Sequence, residues 1–304
     1  MKTRQRGVAI VLAMGVVALA ALAATAMMTT QSTWMRQNEL ASDHVQAQTL
    51  IAVGLDWTRA LLSDDRRVSN VDYLGEAWAL RLPPIPVENG SLTGQIEDQQ
   101  GKFNLNNLVK DGKVNLAQLA SFKRLLSILS LPPTLADAAA DWIDTDSEAQ
   151  PQGGAEDAYY LALPQPYLTA NRPLIDIAEL ALVRGFDDGV RERLRPYVSA
   201  LPVFTAVNVN TASPEVLAAE IDGLGLDAAR ALVAKRTSTY FRDQADFLNQ
   251  LPRDIQPAAE NIAFSSNYFQ VKMRVTIGSA QARSIALLAR TNTNWPTILW
   301  RKML

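Results

Sequence analysis

The stretch Lys2-Thr3-Arg4-Gln5-Arg6-Gly7-Val8-Ala9-Ile10-Val11-Leu12 opens a run with no charged side chain from Gly7 through Met35. Basic residues come first, then a small residue, then the apolar segment. At ~1.5 Å per helical residue, Val8 to Met28 is long enough to cross a ~30 Å hydrocarbon layer, and its alanines favour helix. The basic stub belongs on the cytoplasmic side, which sends the remaining chain across the membrane. A secretory signal would be cut after its apolar core, here at an A-x-A site such as Ala24-Thr25-Ala26. The sequence beyond the core does not read as a cleavage loop. From Gln31 to Ser63 there is no proline and one glycine, Gly54. Trp34, Leu40, Val45, Leu50, Leu55, Leu61 and Leu62 recur at roughly helical spacing. A transmembrane helix over 8–28 is thus expected to continue as an amphipathic helix over 29–65.

The rest of the chain narrows the function classes. With 304 residues there is room for more than a small head on this helix. A net charge of −2 argues against a nucleic-acid or anionic-membrane surface. The absence of cysteine excludes disulfides and thiolate metal sites. The single histidine, His44, lies on the long helix and reads as a solvated or subunit-facing position. There is no nucleophile–base pair, no phosphate loop and no histidine-containing metal triad, so no enzyme and no small-molecule substrate are expected.

Leu82-Pro83-Pro84-Ile85-Pro86 cannot continue a helix. Ser91 to Gln99 alternates as a strand, and the next clear strand is Tyr268 to Ile277. In it Phe269, Val271, Met273, Val275 and Ile277 share one face, with Gln270, Lys272 and Arg274 opposite. Gly278-Ser279 makes a turn, and Ser284 to Arg290 returns antiparallel. The fold class is therefore α+β: an N-terminal helix packed on a small antiparallel sheet, with a head over 66–103 and 262–304. The head is interrupted by a large helical insertion over 104–261. Within it Phe103-Asn104-Leu105-Asn106 is matched by Val207-Asn208-Val209-Asn210, and Leu174 to Leu180 by Phe241 to Phe247. Two related helical units are expected, with asparagines at caps and turns.

Two stretches of the insertion could carry chemistry. One is acidic: Asp141-Trp142-Ile143-Asp144-Thr145-Asp146-Ser147-Glu148, followed by Gly153-Gly154 and Glu156-Asp157. Clustered carboxylates repel unless a cation holds them, and all-oxygen ligands in a loop suit Ca²⁺. Asp144, Asp146 and Glu148 are spaced like the opening of an EF-hand, but Ala149 and the out-of-register Glu156 and Asp157 depart from it. A solvated acidic loop is the alternative. The other stretch is Val207 to Arg236, with Gly223-Leu224-Gly225 between two helices. It resembles the helix-hairpin-helix module of DNA-uptake receptors, which makes a membrane-anchored DNA receptor the rival reading. Glu215, Glu220, Asp222, Asp227, Asp243 and Asp246 outnumber Arg230, Lys235, Arg236 and Arg242, and phosphate neutralisation is what drives DNA affinity. No nucleic acid is expected as a partner.

The leader resembles that of type IV pilins and pseudopilins, which prepilin peptidase cuts on the cytoplasmic side. By this resemblance cleavage falls after Gly7 and leaves Val8 as the N-methylated amino terminus. Most pilins carry Glu at the fifth mature position, where this chain has Leu12. Its absence marks the K class of minor pseudopilins of type II secretion, which the whole chain resembles in leader, connector, split head and acidic insertion. The resemblance implies a subunit that initiates and caps the pseudopilus and so serves protein export across the outer membrane. It implies an inner-membrane single-pass protein with a cytoplasmic amino terminus and a periplasmic carboxy-terminal domain. The I and J minor pseudopilins and the inner-membrane assembly platform are the implied partners. The D-W-I-D-x-D…G-A-E-D-x-x-Y stretch implies a calcium site, with Asp144, Asp146, Glu148, Glu156 and Asp157 as its candidate ligands.

Overall fold

A computed structural model describes residues 4–81, 83–290 and 295–304. Residues 1–3 of the leader and Leu82 of the connector lie outside them.

The long apolar run and the polar stretch after it form one uninterrupted helix, α1, Arg4–Val68, about 98 Å long at ~1.5 Å per residue. Over its first half the side chains are exposed all round, from Val8 at 62% to Met27 at 73%. The packed half is narrower than the sequence pattern implies. Ala47, Ile51, Leu55 and Leu62 are buried against the head, while Trp34, Leu40 and Val45 are exposed. Buried apolar packing on the sheet begins at Ala47, and before it the β9–β10 turn reaches the helix only beside the polar Asp43, so the exposed apolar residues of the earlier turns are not covered by the sheet. Gly54 faces β9 closely, where a Cβ would come within 2.9 Å of the Met273 sulfur.

The head is a five-stranded antiparallel sheet. After α1 come β1 (Ile85–Val87) and β2 (Gly90–Asp98). Through the insertion follow β3 (Phe103–Asn104), the small hairpin β4 (Val109–Lys110) and β5 (Lys113–Val114), then α2 (Leu116–Ile128), α3 (Leu135–Ile143), α4 (Asp157–Tyr160) and α5 (Asp188–Leu194). Then β6 (Val198–Ser199), β7 (Val207–Asn208), α6 (Pro214–Glu220), α7 (Leu226–Arg236), α8 (Gln244–Leu248) and β8 (Ile262–Ala263) complete it. The head resumes with β9 (Tyr268–Ile277), β10 (Ala280–Ala289) and β11 (Thr297–Met303), in sheet order β1-β2-β9-β10-β11. Asp98 pairs with Phe269, so the chain leaves and re-enters the sheet at adjacent points of neighbouring strands. The return strand starts at Ala280, four residues before its expected start, and β11 is an edge strand that the sequence pattern does not reveal. Its charged Arg301 and Lys302 break the apolar alternation by which strands are read.

The two halves of the insertion share one hydrogen-bond scheme. Asn104 Oδ1 accepts from the Asn106 N–H, and Asn208 Oδ1 accepts from the Asn210 N–H. Asn106 then clamps the backbone of Leu174, donating to its carbonyl at 2.9 Å and accepting from its N–H at 2.8 Å. Asn210 clamps Phe241 in the same way, at 2.8 Å both ways. Downstream, Asp176 and Asp243 each cap a short helix. Each half is closed by a two-residue parallel pair, β3 with β6 and β7 with β8. Asn106 and Asn210 are buried and do more than cap turns: each supplies, from its side chain, the backbone partners that a neighbouring strand would otherwise give.

Candidate metal centre

All nine residues of α3 are buried. Ala136, Ala138, Ala139 and Ala140 let neighbouring elements approach closely, and Trp142 stacks edge-on against Tyr160 at 5.2 Å. The helix ends at Asp144, whose N–H still bonds to the Ala140 carbonyl while its own backbone turns extended. Three residues earlier on the helix, Asp141 accepts the Gln150 N–H at 3.1 Å and so folds the loop back. A Cβ at Gly154 would lie 2.2 Å from the Asp141 carboxylate, so only glycine lets the chain wrap this tightly. The wrap returns Glu156 to the end of α3.

The result is a group of carboxylates that, among the described residues, no lysine or arginine pairs with. Oxygens of Asp144, Asp146 and Glu156 lie within 4.8 Å of one another. Asp144 and Glu156 are 0% and 5% exposed, and among the described residues neither oxygen of either side chain has a hydrogen-bond partner. Burial, with repulsion from neighbouring acids, pushes both carboxyls up to about 7. Burial raises Asp141 to about 6 even though backbone N–H groups oppose the shift. Four unpartnered carboxylate oxygens are costly to bury. A hard cation would satisfy all of them with the donor type that Ca²⁺ takes. The residues fit the ion.

Of the five candidate ligands, the fold brings three together. Glu148 is exposed and its carboxylate stands outside the group, although its N–H holds Asp146 Oδ1 at 2.8 Å. Asp157 also stands outside; its Oδ1 accepts the Thr169 N–H at 2.9 Å. The ligand set expected from the sequence omits Asp141, the residue that shapes the loop. Its position one helical turn before Asp144 is the available signal. Across the loop, Arg184 donates to the Gly154 carbonyl at 3.0 Å and lies over the Tyr159 ring.

A second acidic group provides the contrast. Oxygens of Asp65, Asp72 and Glu76 also lie within 4.8 Å. Here the cation is built in: Arg290, 3% exposed, pairs with Asp65 at 3.0 Å and with Asp72. Glu76 accepts from the Tyr73 N–H and the Trp78 indole. Gly7 and Val8, the expected processing residues, lie exposed near the start of α1.

A single spine helix held by an antiparallel sheet, with a helical insertion looped out between adjacent strands, defines a pilin-like subunit. Two family models, both described as type II secretion system protein K, match residues 101–203 and 207–265, the two halves of the insertion with their short strands. The type II secretion system protein K of Pseudomonas aeruginosa is 34% identical, covering 100% of this chain and 94% of that protein. That of Klebsiella pneumoniae is 34% identical, covering 95% and 94%. The crystal structure of the GspK-GspI-GspJ complex from enterotoxigenic Escherichia coli contains a chain of the same fold. It aligns with a TM-score of 0.72 and 23% identity over 88% of this chain and 99% of that one. The chain belongs to the type II secretion system protein K family, and is a minor pseudopilin of that system.

Proposed function

We propose that this subunit initiates and caps the type II secretion pseudopilus, and that its acidic loop holds calcium. The observation that carries the first part is the pairing of an unbroken 65-residue spine with a bulky insertion at the far end of the sheet. Spines pack side by side in a filament, and a subunit with a wide insertion fits where nothing must stack above it. Leu12 supports the same position. A buried carboxylate in lipid needs a partner, and a first subunit has none ahead of it. The exposed apolar sleeve of Val8 to Met28 is the inner-membrane anchor, with the amino terminus cytoplasmic and the head periplasmic. The exposed Trp34, Met35, Leu40 and Val45 are available to neighbouring spines. The related GspK is found in a complex with GspI and GspJ, which supports their counterparts as this chain's partners. The assembly platform and prepilin peptidase complete the set.

The DNA-receptor reading is disfavoured by where the basic residues of the α6–α7 hairpin point. Arg230 is paired with Asp227, and Arg242 with Asp246. Arg236 turns inward to the Val209 carbonyl at 2.6 Å. Few charges remain to neutralise phosphate.

The test is the intact mass and amino-terminal sequence of the protein from membranes with and without prepilin peptidase. A peptidase-dependent, N-methylated start at Val8 supports the reading; a start near Thr29, or an uncut chain in both strains, refutes it. The calcium part is tested separately by titrating the metal-free protein calorimetrically with Ca²⁺. The absence of saturable binding removes the ion.

A further inference from the structure

The head sheet has two faces with different fates. Its inner face, including Phe269, Val271, Met273 and Val275, packs on α1. The upper part of the outer face is covered too, since Tyr268, Leu287 and Ala289 pack with Leu201 of the insertion. The lower part of the outer face is uncovered and basic. An open groove of about 490 Å³ there is lined by Arg81, Thr93, Gln95, Lys272, Arg274 and Arg283.

The arrangement works against the stability of the sheet. Arg274 and Arg283 are directly opposite each other on β9 and β10, and like charges in that register repel. Lys272 lies two residues along on the same face, sharing Glu97 with Lys102. Among the described residues, Arg81, Arg274 and Arg283 form no ion pair; Arg283 bonds only to the neutral Gln281. Three guanidinium groups around one groove, none of them ion-paired among the described residues, leave an unmet demand for anions; Leu304 lies at the same groove, its N–H bonded to the Arg283 carbonyl.

We infer that this groove docks an acidic segment of a protein partner, whose carboxylates engage Arg274 and Arg283 in forked pairs. Guanidinium groups match planar carboxylates bidentately, and the sheet surface offers an extended track instead of a closed phosphate-sized pocket. Lipid headgroups are too far away, an argument that rests on the membrane reading of α1. A Cβ at Gly278 would meet the Asp43 carboxylate, so the β9–β10 turn lies beside Asp43. Asp43 is about 22 Å along the helix from Met28 at ~1.5 Å per residue, and β9 carries Arg274 further from the bilayer. Membrane charge is screened over roughly 8 Å at physiological salt.

The experiment uses the full chain in detergent micelles and a fluorescein-labelled hexaglutamate peptide, read by anisotropy. Saturable binding that weakens with added salt is expected, and the double substitution Arg274→Gln/Arg283→Gln should weaken it about tenfold. Arg230→Gln on α7 should leave it unchanged. Thermal unfolding gives the second readout: Arg274→Thr should raise Tm, because it relieves the opposed charges. No saturable binding, equal binding by the double variant, or a lowered Tm in Arg274→Thr would overturn the inference. So would binding of inorganic phosphate, or of phosphatidylglycerol vesicles, that depends on the same arginines and displaces the peptide. The processing experiment is independent of all these outcomes, so either reading can fail alone.

Discussion

Asp144 and Asn106 are both buried polar residues, and their situations are opposite. Asn106 is fully satisfied by Leu174 and by the Leu201 carbonyl at 2.8 Å. Asn106→Ala leaves buried backbone groups unpaired at about 1–3 kcal/mol each. The amide of Leu174 should lose hydrogen-exchange protection while that of Phe241 keeps it; Asn210→Ala should do the reverse. Asp144 has no protein partner for either oxygen. Calcium at about a hundred times its Kd should therefore stabilise the parent by about 2.7 kcal/mol. Asp144→Asn should abolish that gain in a thermal melt, yet in EGTA be at least as stable as the parent, because it removes a repelling buried charge. The acidic residue types are legible in the sequence. That Asp144, Asp146 and Glu156 converge while Glu148 and Asp157 do not is set by the turn that Asp141 and Gly154 impose.

Among the helices, α2 and α6 pack against each other through a buried acid. Glu220 on α6, 6% exposed, accepts from the Gln118 amide of α2 at 2.6 Å, and its other oxygen is unpartnered. Burial pushes it from 4.5 to about 7, partly offset by Gln118 and Arg124. The folded state thus holds this proton more tightly than the unfolded one. The stability it contributes is present below about pH 4.5 and is lost as pH rises through 7. Glu220→Gln should match the parent at pH 4.5 and exceed it at pH 8 by up to about 3 kcal/mol, since a tenfold difference in proton affinity corresponds to about 1.4 kcal/mol. Denaturant melts at the two pH values check this. The sequence alone counts Glu220 among the acids of the hairpin without distinguishing it as buried, because periodicity does not say which helix will cover a polar position.

Across the whole molecule, spine, head and insertion meet at Arg290. It donates to the Leu62 carbonyl of α1, pairs with Asp65 and Asp72, bonds the Ser266 carbonyl and lies over Phe269 of β9. The neighbouring Asp98 accepts from Ser266, Thr211 and Asn208, extending the network into the second half of the insertion. Arg290→Met strands two carboxylates and should cost about 3–5 kcal/mol in chemical denaturation. A loss under about 1 kcal/mol would mean the junction is held by apolar packing alone.

The sequence by itself determined the long helix, the faces of β9, the paired asparagine motifs and the acidity of the loop. These depend on local periodicity and residue type, which do not need distant neighbours. Only the tertiary structure decided that buried packing of α1 on the sheet begins at Ala47, that β11 closes the edge, and that Arg290 pairs with one acidic cluster while, among the described residues, no arginine or lysine pairs with Asp144 or Glu156 of the other. Each of these depends on which remote residue arrives at a given position: the cation at residue 290 lies far along the chain from Asp65 and Asp72, and no spacing rule connects them.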